Sequence, residues 1–134
     1  MKKFMLFAFL FLACMSGFSQ NLIGYNAKMI KKYMKENCRE MNIGKVSNDR
    51  FTYLKYSDIT NRQTLLFFLS SDSVCKSERM IIDFSLKTEK VKEFNSLYRK
   101  TEGNRWVDTH NGKDFLIDIS DETWTSVITI VSDK

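Results

Sequence analysis

The order of apolar patterns along the chain restricts its fold more than any other feature. A helical pattern is followed by three short strand patterns, and the same series then occurs a second time. The first helical pattern covers residues 25–41 and the second covers residues 86–100. Apolar residues recur at steps of three and four in both, which is typical of amphipathic helices. In the first helix they are Ala27, Ile30, Met34, Cys38 and Met41, and in the second Val91, Phe94, Leu97 and Tyr98.

Six segments are predicted to be strands because they alternate or are rich in aromatic and β-branched residues. They are residues 50–57, 64–70, 74–85, 105–109, 113–120 and 123–132. The polar connections between neighbouring strands are too short for a crossover helix, so we expect antiparallel pairing. Asn111-Gly112 is a strong hairpin signal between the fourth and fifth of these strands.

These patterns predict an α+β domain over residues 21–134, with both helices on one face of a mostly antiparallel sheet of about six strands. We interpret residues 22–84 and 85–134 as two αβββ halves that arose by internal duplication. Strand alternation predicts which side chains face the helices. They are Met80, Ile82, Phe84, Phe115, Ile117, Ile119, Trp124, Ile128 and Ile130.

The tandem αβββ order resembles the two-repeat TATA-binding-protein-like and β-lactamase-inhibitor-protein-like folds, and also small exported proteins of Bacteroidota. The resemblance covers most of the chain after residue 20 and rests on the order of elements, with no diagnostic motif. It implies that an open sheet face or its loops contact another macromolecule. It assigns no functional residue.

The first twenty residues have the layout of a secretory signal peptide. Two lysines precede an apolar run at residues 4–14, and small residues follow it. A helix of that length rises only about 16 Å, so it is too short to span a bilayer. Cleavage would leave a chain that starts at Gln20 or Asn21, and the GFSQN ending resembles exported proteins of Bacteroidota. No later stretch is long and apolar enough for a membrane span.

Cys14 leaves a second interpretation of this segment open. A lipoprotein signal also places a cysteine after a short apolar run, and Ala13 fits the position before it. We therefore expect a free periplasmic or extracellular protein, with an outer-membrane lipoprotein acylated at Cys14 as the alternative.

The sequence offers little for catalysis or cofactor binding. Nucleotide-binding, zinc-protease and calcium-loop motifs are absent, and His110 is the single histidine, in a predicted turn. We expect no metal and no cofactor. The net charge of +5 is spread over lysines interleaved with glutamates, so we also expect no nucleic-acid partner. Asp83 and Asp118, each within an apolar strand, are the remaining candidates for acid–base chemistry.

Three further predictions concern individual residues. Strand alternation predicts a ligand-binding set on the sheet face away from the helices, and its members are Arg79, Ile81, Asp83, Leu116, Asp118 and Thr125. Cys38 and Cys75 either form one disulfide or remain thiols, and the parity of Cys75 with Arg79 argues against the bridge. Ser73, within Asp72-Ser73-Val74, is a candidate for O-glycosylation.

Together these observations favour an exported, non-enzymatic binding module for a protein or glycan that uses an open sheet face and its turns. The alternatives are a small extracytoplasmic hydrolase or sugar-processing enzyme that uses carboxylates, and a lipid-tethered surface protein.

Overall fold

The computed structural model describes residues 21–44 and 52–133. The helices are α1 (Ala27–Asn37) and α2 (Lys87–Leu97), and a short 3-10 helix, Phe84–Leu86, precedes α2. The strands are β1 (Met41–Gly44), β2 (Thr52–Asp58), β3 (Gln63–Leu69), β4 (Cys75–Asp83), β5 (Arg99–Lys100), β6 (Arg105–His110), β7 (Lys113–Asp121) and β8 (Thr125–Ser132). The predicted α+β class is therefore confirmed.

The eight strands of the described residues form one antiparallel sheet in the order β1-β2-β3-β4-β8-β7-β6-β5. The prediction of about six strands missed β1 and β5, which lie at the two edges of the sheet. These strands have four and two residues. A segment that short is too brief to show the alternation that identifies a strand.

The first helix is shorter than its apolar period predicts. Asn26 caps its N-terminus, because the Asn26 Oδ1 accepts a hydrogen bond of 2.8 Å from the Met29 N–H. The backbone leaves the helical conformation at Cys38, with φ −132° and ψ 60°. Met41, predicted to be the last apolar residue of the helix, instead begins β1 and pairs with Asp58.

The predicted Asn-Gly hairpin joins β6 to β7. Asn111 and Gly112 have φ values of 53° and 73°. Both values lie in the left-handed region that a two-residue hairpin turn requires and that glycine and asparagine tolerate. His110 pairs with Lys113 on either side of this turn, and the side chain of His110 is exposed.

Both helices contribute to one core on the same face of the sheet. Ile30 and Met34 of α1 and Phe94 of α2 are buried with the inward residues of the strands. The ring of Phe94 meets the ring of Trp106 edge-on, with centroids 5.4 Å apart. The predicted core residues Met80, Ile82, Phe115, Ile117, Ile119 and Ile128 are buried, and Ile130 is partly buried.

Two residues predicted for this core are exposed instead. Phe84 is 51% exposed and Trp124 is 81% exposed. Phe84 follows the end of β4 and Trp124 precedes the start of β8, and the Phe84 N–H donates to the Trp124 carbonyl oxygen at 3.2 Å. The alternation of apolar residues in the sequence therefore continues beyond the part of the sheet that the helices cover.

A bulge in β4 overturns the predicted orientation of Cys75. The register with β3 passes from Phe68 with Ser77 to Leu69 with Cys75, so Lys76 is an extra residue. An extra residue reverses the alternation of every side chain before it. Cys75 consequently faces the core and is fully buried, on the opposite side of the sheet from Arg79.

Candidate functional site

The sheet face opposite the helices is the main candidate surface, and we call it the open face. No helix in residues 21–44 or 52–133 covers it, since both helices contribute to the core on the other side. Its side chains come from alternate positions of the six longer strands. They are Tyr53, Lys55, Ser57, Thr64, Leu66, Phe68, Ser77, Arg79, Ile81, Asp83, Thr125, Val127, Thr129, Val131, Leu116, Asp118, Ser120, Arg105 and Val107.

The strand pairing brings the six residues of the predicted ligand-binding set onto this face. Arg79 pairs with Thr129, which pairs on its other side with Asp118. In the neighbouring rows, Ile81 pairs with Val127, Asp83 with Thr125, and Leu116 with Val131. The predicted orientation of the set is therefore correct, while its role in binding stays a prediction.

The open face combines aliphatic side chains with a few charged groups. Leu116 is 40% exposed, and Val131 beside it and Val127 at the other end of β8 are half-buried. The Arg79 guanidinium lies over the Phe68 ring, 5.6 Å from its centroid. Tyr53 continues this cluster, with its ring centroid 5.7 Å from that of Phe68.

A depression of about 590 Å³ marks the β6–β7–β8 side of the open face. Leu116, Val107 and Val131 provide apolar lining, and Asp118 and Arg105 provide charge. The Arg105 Nε lies 3.4 Å from the Asp118 Oδ1.

Asp83 and Asp118 do not form a catalytic pair. Their partners on β8, Thr125 and Thr129, are four residues apart, and β8 lies between β4 and β7. The two Cα atoms are therefore about 15 Å apart. Paired carboxylates of glycoside hydrolases are separated by less than about 10 Å. In addition, hydrogen bonds from the Ser85 side chain and backbone N–H lower the pKa of Asp83, so this carboxyl group is ionised near neutral pH and has no proton to donate.

Cys38 and Cys75 are both buried, and no disulfide joins them in the described part of the chain. The Cys75 Sγ donates to the Ser77 carbonyl oxygen at 3.4 Å. Burial, and secondarily the negative charge of Glu78, raise the pKa of Cys75 to about 12. A thiol in this environment is a poor nucleophile.

The other candidate residues lie apart from the open face. Ser73 is an exposed residue of the β3–β4 turn, with φ 61°. Cys14 lies outside the described residues, as does the whole predicted signal segment. No group of three or more potential metal ligands occurs in the described chain, and none of its helices is long and apolar enough to cross a membrane.

Sequence reasoning missed a buried carboxyl group, Glu78. It is 2% exposed and lies two residues before Met80, so strand alternation alone places it in the core. Its Oε1 accepts the Leu22 N–H, and its Oε2 is buried without a partner in the described residues. Burial raises the pKa of Glu78 to about 8. The sequence contained a signal for this buried acid, because Glu78 is a charged residue at a position of the strand that alternation assigns to the same face as Met80.

Sequence reasoning also missed a cleft between α1 and the edge strand β1. Its volume is about 950 Å³, and basic side chains surround an apolar floor.

Comparison of the chain with protein-family profiles, curated protein sequences and solved structures finds no match.

Proposed function

We propose that this protein is exported and acts as a non-enzymatic interaction module whose open face binds another protein. The observation that supports the proposal most is the open face itself. Six strands present side chains there that no described helix covers, and two aliphatic pairs, Ile81 with Val127 and Leu116 with Val131, flank a central row of Arg79, Thr129 and Asp118. Burial of such a surface against a partner would release about 25 cal/mol for each Å² of apolar area.

The composition of the face favours a protein ligand over a glycan. Sugar rings usually stack on exposed aromatic rings, and the open-face aromatics Tyr53 and Phe68 lie on β2 and β3. The central strands β4, β8 and β7 instead present branched aliphatic residues such as Ile81 and Val127. Arginine is enriched in protein interfaces, and Arg79 lies beside Leu66 and Phe68 on this face.

The tandem arrangement is part of the same proposal. Each helix is followed by four strands, and β4 and β8, the last strands of the two series, pair at the centre of the sheet. We interpret this order as an αβββ duplication with one added edge strand in each half. The resemblance to two-repeat folds and to exported proteins of Bacteroidota belongs to this interpretation, and so do the predicted signal segment and periplasmic or extracellular location.

A pair of matched substitutions tests the open face. Leu116 and Leu97 are 40% and 52% exposed, but Leu116 lies on the open face and Leu97 lies on α2. Tagged wild-type, Leu116→Asp and Leu97→Asp proteins would be treated with a chemical crosslinker in the native host. We expect a discrete adduct with wild type and Leu97→Asp, and its loss with Leu116→Asp. An adduct that survives Leu116→Asp would contradict the proposal.

A further inference from the structure

The cleft between α1 and β1 combines an apolar floor with a basic rim. The floor includes Met41 and Ile43 of β1 and Tyr56 of β2. Ile43 is 53% exposed, so an aliphatic side chain is presented to solvent inside the cleft. The cleft lies on the helix side of the sheet, away from the open face that carries the proposed function.

The rim of the cleft has a strong excess of positive charge. Among the described residues, five cations line it, from α1 and the turn that follows, and Glu36 is the only acid. The cations are Lys28, Lys31, Lys32, Lys35 and Arg39. The four lysines are spaced three and four residues apart and lie along one side of α1, and Arg39 lies in the turn after it. None of the five forms an ion pair with a residue in the described part of the chain.

The floor of the cleft is also an edge of the sheet. β1 is the outermost strand in the strand order, and it pairs with β2 on one side only among the described residues. Apart from the Met41 N–H, which donates to the Cys38 carbonyl oxygen at 3.1 Å, its outward backbone groups have no hydrogen-bond partner among the described residues. An edge of this kind is a template for one more strand.

We propose that an extended acidic peptide segment of another protein binds in this cleft as an additional strand along β1. Its backbone would hydrogen-bond to the free edge of β1, and its carboxylates would meet the lysines of α1. A fatty acid would match the apolar floor with its acyl chain and the lysines with its carboxylate, but it would leave the backbone groups at the edge of β1 without partners. The backbone groups therefore favour a peptide over a fatty acid. A small inorganic anion would accept from few of the β1 N–H groups and would leave the β1 carbonyl oxygens without a donor.

A synthetic peptide that alternates Glu and Val over about eight residues is the appropriate probe, because alternation places all its carboxylates on one side of a strand. Two control peptides have the same composition. One carries its glutamates in a single block, and the other is N-methylated at alternate residues so that it lacks backbone donors. We expect the alternating peptide to bind at least about tenfold more tightly than either control, measured by fluorescence anisotropy.

Variants of the protein locate the site. The double substitution Lys31→Glu and Lys35→Glu, and separately Ile43→Asp, should each weaken binding of the alternating peptide by about tenfold or more. Lys92→Glu on the exposed side of α2 is the matched control and should leave the affinity unchanged. All four positions are exposed, so circular dichroism should show the same helix content for every variant.

Amide chemical shifts distinguish strand addition from simple charge attraction. On addition of the alternating peptide, the amides of residues 41–44 should shift, and binding should weaken as salt rises from about 0.05 to about 0.3 M. Equal affinity for the block peptide, or shifts confined to α1, would overturn the proposal. Binding of oleate without binding of the alternating peptide would also overturn it. None of these results depends on whether the open face binds a partner.

Discussion

Replacement of Glu78 by glutamine should remove a pH dependence of stability that the native core imposes. The folded chain keeps the Glu78 proton up to a pKa of about 8, whereas an unfolded glutamic acid releases it near 4.5. Between these pH values the folded state binds more protons than the unfolded state, so the free energy of unfolding must fall as pH rises. The loss amounts to about 3 kcal/mol at pH 7, at about 1.4 kcal/mol for each unit.

Glutamine preserves the shape of the side chain and the acceptor for the Leu22 N–H, but it does not ionise. The Glu78→Gln variant should be no more stable than wild type at pH 5 and more stable by a few kcal/mol at pH 8. Other perturbed groups titrate outside this window, since the pKa of Asp83 is lowered and that of Cys75 is raised to about 12. The fluorescence of buried Trp106 during urea unfolding provides the assay.

An exposed residue on α2, Glu89, provides the control for this experiment. Glu89→Gln should leave the dependence of unfolding free energy on pH as it is in wild type. The reasoning is refuted if Glu78→Gln retains the wild-type slope between pH 5 and pH 8. It is also refuted if wild-type stability rises with pH across this range.

Three further predictions concern the tryptophans, the cysteines and the N-terminus. Trp106→Ala should cost about 3 to 5 kcal/mol of unfolding free energy because Trp106 is 1% exposed, while Trp124→Ala should cost less than about 1 kcal/mol; equal costs in urea titrations would contradict the packing. Cys38 and Cys75 should give an unchanged intact mass on reduction, and a gain of about two mass units would reveal a bridge. Protein secreted by its native host should have a mass that starts at Gln20 or the next residue, whereas an acylated mass that starts at the cysteine of the leader would indicate a lipoprotein.

Local alternation was sufficient to predict most of the sheet and the orientation of its faces. The period of two around Met80 and Ile82 places Arg79 and Ile81 on the open face, because no bulge interrupts β4 between these residues. The same reasoning failed at Cys75, because an extra residue in β4 reverses the alternation before Ser77. A bulge of this kind depends on pairing with β3 and has no local sequence signal.

The candidate sites differ in how far the sequence predicts them. The open face follows from the parity of single strands, so the positions of Leu116 and Asp118 could be predicted. The cleft between α1 and β1 depends on where α1 ends and on how a four-residue edge strand lies beside it. Both features depend on tertiary packing. The lysine-rich side of α1 by itself has the pattern of an ordinary solvated helix surface.

The most direct test of the central claim is to map where the protein contacts its partner in the native host. A photoreactive amino acid would be placed in turn at three exposed or half-buried open-face positions, Ile81, Leu116 and Thr129, and at two exposed positions of α2, Thr88 and Ser96. We predict that the three open-face positions yield the same crosslinked adduct and that the α2 positions yield none. Adducts that arise from α2 with equal yield, or from α2 alone, would contradict the assignment of the open face as the binding surface.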